Sequence, residues 1–164
     1  LTIQFKNTTL YIFLTVIAVS LVIIGLGPGL FGDHHNPSSW QYIFFEKLCH
    51  QDPNRSYSIA GLSMAVCSRC LGIYAAFLVG MIALPVIARF LSIRRKVSIS
   101  FVALAIGINA IDIAGNFADL WINTLESRLI LGSVFGLSVA ILLTGEFFKR
   151  IKTTEDTYGT EFAT

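Results

Sequence analysis

Four long apolar stretches, separated by short polar or charged breaks, run through the chain. Leu10 to Leu30 lies within Asn7 to Gly32, a run without a single charged side chain. Leu71 to Ala88 is equally uncharged, and Val97 to Trp121 and Leu129 to Phe148 are apolar with polar positions set into them. A helix needs about 20 mostly apolar residues to cross the hydrocarbon core of a bilayer. The pattern therefore predicts spans at about 10–30, 70–90, 97–121 and 129–148. Pro85 is expected to bend the inner end of the second. Before that span, "WQYIFFEKL" sets Trp40, Ile43, Phe44 and Leu48 on one side of a short helix, with Pro37-Ser38-Ser39 as its start and serine as cap. Trp and Tyr favour the membrane–water interface, so residues 39–49 are expected to lie on or in it. The expected fold is an all-α, polytopic membrane protein: four transmembrane helices plus an interfacial helix in an outer loop of residues 31–69. Residues 1–152 would form a single four-helix domain. The tail 153–164, "TTEDTYGTEFAT", is polar and aperiodic and is expected to be flexible. No internal repeat is visible.

Composition strengthens the membrane assignment. Hydrophobic residues make up 54% of the chain, charged residues only 13%, and the mean hydropathy is +0.71. A soluble domain carries about 25% charge. The net charge of +2 is small and its basic residues are scattered, which argues against a nucleic-acid partner and leaves the lipid bilayer as the main one. The first apolar run is too long for a cleaved signal, and no A-x-A site follows it. The chain begins at Leu1 rather than Met, so a few residues are expected to precede it. Short basic loops stay in the cytoplasm. "ARFLSIRRK" (Arg89, Arg94, Arg95, Lys96) and "FFKRIK" (Lys149, Arg150, Lys152) therefore predict cytoplasmic termini in the cell (inner) membrane. The loop of residues 31–69 then lies outside.

All three cysteines fall in that loop or at its edge. Cys67 and Cys70 form C-x-x-C at the mouth of the second span, and 16 residues separate His50 from Cys67. Zinc ribbons pair two C-x-x-C units some 15–20 residues apart. Here Cys49-His50 replaces one unit, and four donors match a closed tetrahedral zinc site. Adjacent helical residues point about 100° apart, so Cys49 and His50 reach one ion only if the helix ends there. Pro53 favours such an end, because the residue before a proline avoids the helical region. A three-thiolate site with another fourth ligand, or with His50 as a supporting or acid–base group, stays open. His34 and His35 are spare candidates. Two rival readings also stay open: a disulfide from Cys49 that leaves one thiol free, and redox chemistry. "CSRCLGIYAAFLVG" resembles the active helix of quinone-coupled disulfide oxidases, which would bring in a quinone, but those relay electrons between two cysteine pairs and this chain has three cysteines.

The third span carries Asn109, Asp112, Asn116 and Asp119 at intervals that share one helix face. Acids and amides within a span face protein or water. Arg128 is the expected partner for the stripe, bending back from the start of span four. With Asp119 at the outer rim, Asp112 sits about 10 Å deeper at 1.5 Å per residue. The stripe and the cysteines then share the outer half of the bundle. It serves either as a network that holds the helices together or as a substrate or ion site. Gly132-x-x-x-Gly136 offers a close-packing face, weak as a sign of dimerisation. Arg55 and Arg69 flank the cysteines and are candidates for a phosphate or lipid headgroup as well as for ordinary headgroup contacts.

"CHQDPNRSYSIAGLSMAVCSRCLGIYAAFLVG" resembles the signature of a bacterial and archaeal membrane family, domain of unknown function 2085. Cys49, His50, Gln51, Pro53, Arg55, Ser56, Cys67, Arg69, Cys70, Gly72, Ile73 and Tyr74 match its pattern. The later Asp-Gly-x-x-Gln and Arg-x-x-Thr-Gly elements are met with departures: Ile113 for Gly, Asn116 near the Gln, Leu131 for Thr. The resemblance, over about residues 40–140, implies a small polytopic membrane protein with a cysteine–histidine centre and brings no activity with it. The leading expectation is a metal-stabilised binding or accessory protein, a subunit of a larger membrane assembly. The alternative is an enzyme in which the metal or thiol pair works with Asp112, Asn116 and Asp119 on a lipid, quinone or thiol substrate.

Overall fold

In the computed structural model, which describes residues 2–27, 30, 40–90 and 95–151, every apolar stretch is helical. The helices are α1 (Thr8–Gly25), α2 (Trp40–Phe45), α3 (Ser68–Phe90), α4 (Arg95–Phe117) and α5 (Leu125–Phe147). All but α2 are long and apolar enough to cross a membrane, with mean hydropathies of 2.3, 2.3, 2.0 and 1.9. A helix of 23 residues is about 34 Å long, against a hydrocarbon core of about 30 Å. Large apolar side chains such as Phe13, Val79, Ile82, Ile111 and Ile130 point outward, while Ala18, Ala105, Gly132, Gly136 and Ala140 are buried. Helices in lipid gain little by hiding leucines from each other and approach through small residues instead.

The bounds differ from the sequence pattern in ways the backbone explains. The first span stops at Gly25 rather than near residue 30, because Gly27 takes φ +78, which ends a right-handed helix. The interfacial helix covers only Trp40–Phe45; the Leu48 and Cys49 N–H groups both turn onto the Phe45 carbonyl. Its outer residues Trp40, Ile43, Phe44 and Leu48 are exposed together, as the pattern required, while Gln41 and Phe45 are buried. Span three ends at Phe117 instead of Trp121, and span four starts four residues early at Leu125, where the Thr124 side chain accepts the Ser127 N–H as an N-cap. The tail 153–164 and the His34–His35 pair lie outside the described residues.

The closest helix contact joins α3 and α5. A Cβ at Gly132 would overlap the Arg69 carbonyl oxygen, one at Gly136 that of Ile73, and one at Gly72 that of Leu129. The small-residue face of span four thus packs against a helix of the same chain.

The opposite end of the bundle holds an element that apolar periodicity did not reveal. Strand β1 (Thr2–Phe5) pairs antiparallel with the last strand, Phe148–Ile151, in the register Thr2 with Ile151 and Phe5 with Phe148. Phe148, expected as the last residue of span four, is instead the first residue of this strand. Two short strands lie between, β2 (Ser58–Ile59) and β3 (Leu62–Ser63), so this last one is β4. Tyr11 packs edge-on against Phe5, Phe147 and Phe148, beside Met81, Leu84 and Ala88. The helix α3 continues through Pro85 to Phe90. Proline lacks the N–H that would bond the carbonyl four residues back, which is Met81. The Tyr11 hydroxyl donates to that carbonyl at 2.8 Å, so one side chain replaces the missing rung and ties α1 to α3.

Gly136→Leu is expected to destabilise the protein by about 1–3 kcal/mol or more, read as a lower melting temperature in detergent. Gly107→Leu, where an added Cβ meets nothing within 4 Å, should leave it nearly unchanged. Tyr11→Phe orphans the Met81 carbonyl and should cost about 1–3 kcal/mol in the same assay, with the ring packing retained.

Candidate functional site

Two remote stretches of chain meet at the end of the bundle away from β1 and β4. Cys49 follows α2, Cys67 directly precedes α3, and Cys70 lies in its first turn. The chain between them runs through a 3-10 turn at Pro53–Arg55 and the β2–β3 hairpin. Asp52 caps the turn by accepting the Asn54 N–H at 3.0 Å. The hairpin closes on Ala60 and Gly61, at φ 51 and 81, the two left-handed residues of a tight two-residue hairpin turn.

One side chain holds this loop shut. Gln51, left-handed at φ 50, donates from Nε2 to the carbonyls of Tyr42 at 2.7 Å and Ala65 at 3.1 Å. The Tyr42 hydroxyl donates to the Ser63 carbonyl, and burial raises the pKa of this phenol. The Ala65 N–H reaches the Gly25 carbonyl at the end of α1, 3.2 Å away. Phe45, Ala65 and Val66 are fully buried around Cys49.

The result is convergence of the three thiols. The sulfurs of Cys49, Cys67 and Cys70 lie within 4.8 Å of one another, and all three are free. The Cys67 N–H donates to the Cys49 sulfur at 3.2 Å. Hydrogen bonds to the Cys49 sulfur from the Cys67 and Cys70 side chains, and from the Cys67 and Gln51 backbone, hold its pKa far below the usual thiol range, against an upward push from burial. Cys49 is thereby favoured as a thiolate, the form that binds metal. His50 is exposed and does not join the grouped ligand atoms, although it lines the same cavity.

That cavity, about 480 Å³, is lined by all three cysteines together with His50, Arg55, Arg69, Arg128, Asn116 and Asn123, among others. Asn109, Asp112 and Asn116 keep to α4 and face inward bonds. Asn109 Nδ2 donates to the Leu131 carbonyl of α5 at 3.1 Å. Arg128 does not bind an acid of the stripe: its Nη2 donates to Asn116 Oδ1 at 3.2 Å. Asp112 instead pairs with Arg69 and accepts from Asn123 Nδ2 at 2.7 Å. This links the cysteine-bearing end of α3 directly to the stripe. Asp119 leaves the stripe altogether. It sits past the helix end at φ 54, exposed, while the Leu120 N–H returns to the Gly115 carbonyl at 2.9 Å. That is a Schellman-type cap with aspartate in the left-handed position usual for glycine. The Trp121 ring fills the space over Gly115, where a Cβ would overlap it. Arg55 forms an exposed pair with Asp52 at 3.0 Å.

Gln51, Tyr42 and Asn123 are the supporting residues that spacing rules missed. Their bonds run to carbonyls or side chains remote in sequence, so periodicity carries no trace of them.

Comparison with known proteins adds a family. The family described as "Predicted membrane protein (DUF2085)" matches residues 49–142. An uncharacterized protein of Methanocaldococcus jannaschii is 36% identical over 112 residues, 67% of this chain and 70% of that relative. No solved structure matches.

Gln51→Ala removes both bonds that brace the loop and is expected to cost about 1–3 kcal/mol. Cys49 should then react faster with a maleimide than in the wild-type protein, under conditions where the helices stay folded by circular dichroism.

Proposed function

We propose a metal-centred function for this chain, which belongs to the DUF2085 family of predicted membrane proteins. Cys49, Cys67 and Cys70 bind one zinc ion at the outer face of the cell (inner) membrane, and the centre fastens α2 and the hairpin to the mouth of α3. The protein acts as a binding or accessory subunit of a membrane assembly. The single observation behind this is the convergence of three sulfurs, within 4.8 Å of one another, from two remote stretches. Three thiolates about one zinc, each about 2.3 Å from it, stand about 3.8 Å apart, a spacing this cluster accommodates. Thiolates also select zinc and copper(I) over hard cations. A disulfide would use two of the sulfurs and leave no reason for the third to be there. Arg89, Arg95 and Lys96 sit at the end of the bundle opposite the cysteines, which supports cytoplasmic termini and an outward centre.

The cavity favours a second reading. Catalytic zinc sites keep three protein ligands and an open position, whereas structural sites close with a fourth. Here three sulfurs are grouped, and His50 stands apart in the cavity they line. An open position would make the protein a metal-assisted enzyme acting on a lipid-like substrate, with Arg69, held by Asp112, orienting it.

Metal analysis of the purified chain should find about one zinc per molecule, with Cys49→Ser losing most of it. Wild-type protein without metal and with an S–S bond among the three cysteines would overturn the centre. His50→Ala separates the two forms: loss of zinc means a closed four-ligand site, and full retention means an open one.

A further inference from the structure

Three guanidinium groups from three separate elements reach the cavity beside the thiols: Arg55 from the 3-10 turn, Arg69 from the first turn of α3, and Arg128 from the first turn of α5. Carboxylates match only two of them. Asp52 takes Arg55 and Asp112 takes Arg69. Arg128 has a neutral amide, Asn116, as its hydrogen-bond partner among the described residues. Arg55 and Arg69 act on Arg128 as like charges, with Cys67 and Asp112 as opposing ones. Arg69 Nε is buried with no acceptor among the described residues. Each guanidinium has five N–H donors in a fixed fork, and the bonds formed here use a minority of them. A divalent ion on three thiolates carries one net negative charge, so with zinc in place the cavity is close to neutral by count. Its surplus is of donors, arranged around an empty volume of about 480 Å³.

We propose that this cavity binds a phosphate-type oxyanion, held by Arg55, Arg69 and Arg128 over the thiol centre. Such a group supplies several acceptor oxygens at once and suits forked guanidinium donors. The helices α3 and α5 both begin at this end, and their first-turn N–H groups and dipoles favour negative charge there. Leu48 and Phe117 line the cavity and are exposed, as is Trp121, which suits a mouth set among lipid headgroups. A lipid headgroup and free phosphate present the same chemistry. The proposal deepens the metal reading in that it uses the same site, with the anion lying over the proposed zinc centre.

The test uses the full chain in phosphatidylcholine nanodiscs, with zinc content measured on every sample. One arm titrates inorganic phosphate by calorimetry. The other replaces part of the lipid with phosphatidylglycerol and measures retained lipid by native mass spectrometry. At least one probe should bind saturably. Arg128→Gln should weaken that binding roughly tenfold, and Arg128→Lys should restore part of it. Arg55→Gln, on the half-exposed pair, should weaken it too and serves if Arg128→Gln fails to fold. Binding of the lipid alone assigns a headgroup site, and binding of phosphate assigns a soluble ligand. No saturable binding of either probe, or binding indifferent to both glutamine variants, overturns the proposal. Zinc retained without anion binding sinks this inference alone; arginine-dependent binding without zinc sinks the metal reading alone.

Discussion

The backbone of α3 lies against the backbone of α5, and the geometry of the cysteine end depends on that contact. Gly132 and Gly136 leave room for the carbonyls of Arg69 and Ile73, and Gly72 leaves room for that of Leu129. No side chain separates the two helices there. In lipid, where apolar surface gives little reason for helices to associate, such close approach is a main source of packing energy. Its position matters as much as its strength. The Arg69 carbonyl that Gly132 admits lies between Cys67 and Cys70, so the same contact sets where those two sulfurs stand relative to Arg128 on α5.

The third sulfur arrives by a different route. Cys49 is carried by a loop with little regular structure, and loops at a membrane surface have few apolar contacts to fix them. This one is fixed by polar bonds to backbone carbonyls: Gln51 to Tyr42 and Ala65, Tyr42 to Ser63, and Ala65 N–H to Gly25. These bonds surround a small, fully buried apolar cluster of Phe45, Ala65 and Val66. Partly buried carbonyls need donors, and a glutamine amide supplies two at once. The left-handed turn at Gln51 also points its own N–H toward the Cys49 sulfur. One residue thereby both braces the loop and favours the thiolate.

The intramembrane polar groups connect these two parts. The Arg69–Asp112 pair, with side chains only 18% and 13% exposed, joins the first turn of α3 to the C-terminal part of α4. Asn123 extends it to the loop before α5, and a separate bond joins Asn116 of α4 to Arg128 at the start of α5. A charge in a span is stable when it faces a partner, and here each member faces another. The network that holds the helices together is also the wall of the cavity, so the structural and ligand-binding readings of the stripe are compatible.

The sequence alone determined the membrane class, the four spans and the family, because each rests on signals local to a short window: apolar runs, missing charge, and the Cys49–Tyr74 signature. C-x-x-C and its distance from Cys49 are likewise visible as spacing; the three sulfurs converge, while His50, expected beside them, stays outside the group. The interval of Asp119 fits the helix face, whereas in the structure it takes a left-handed cap position past the helix end. Arg128 was assigned to the acids by nearness in the chain, yet Arg69 reaches Asp112 across two helices. The β1–β4 pairing joins residues nearly the full chain apart, and Tyr11 stands in for a hydrogen bond that Pro85 cannot make on another helix. Periodicity records which face of an element is apolar and holds no record of which element that face will meet. The partners of Arg69, Arg128, Gln51 and Tyr11 were therefore decided only when the helices packed.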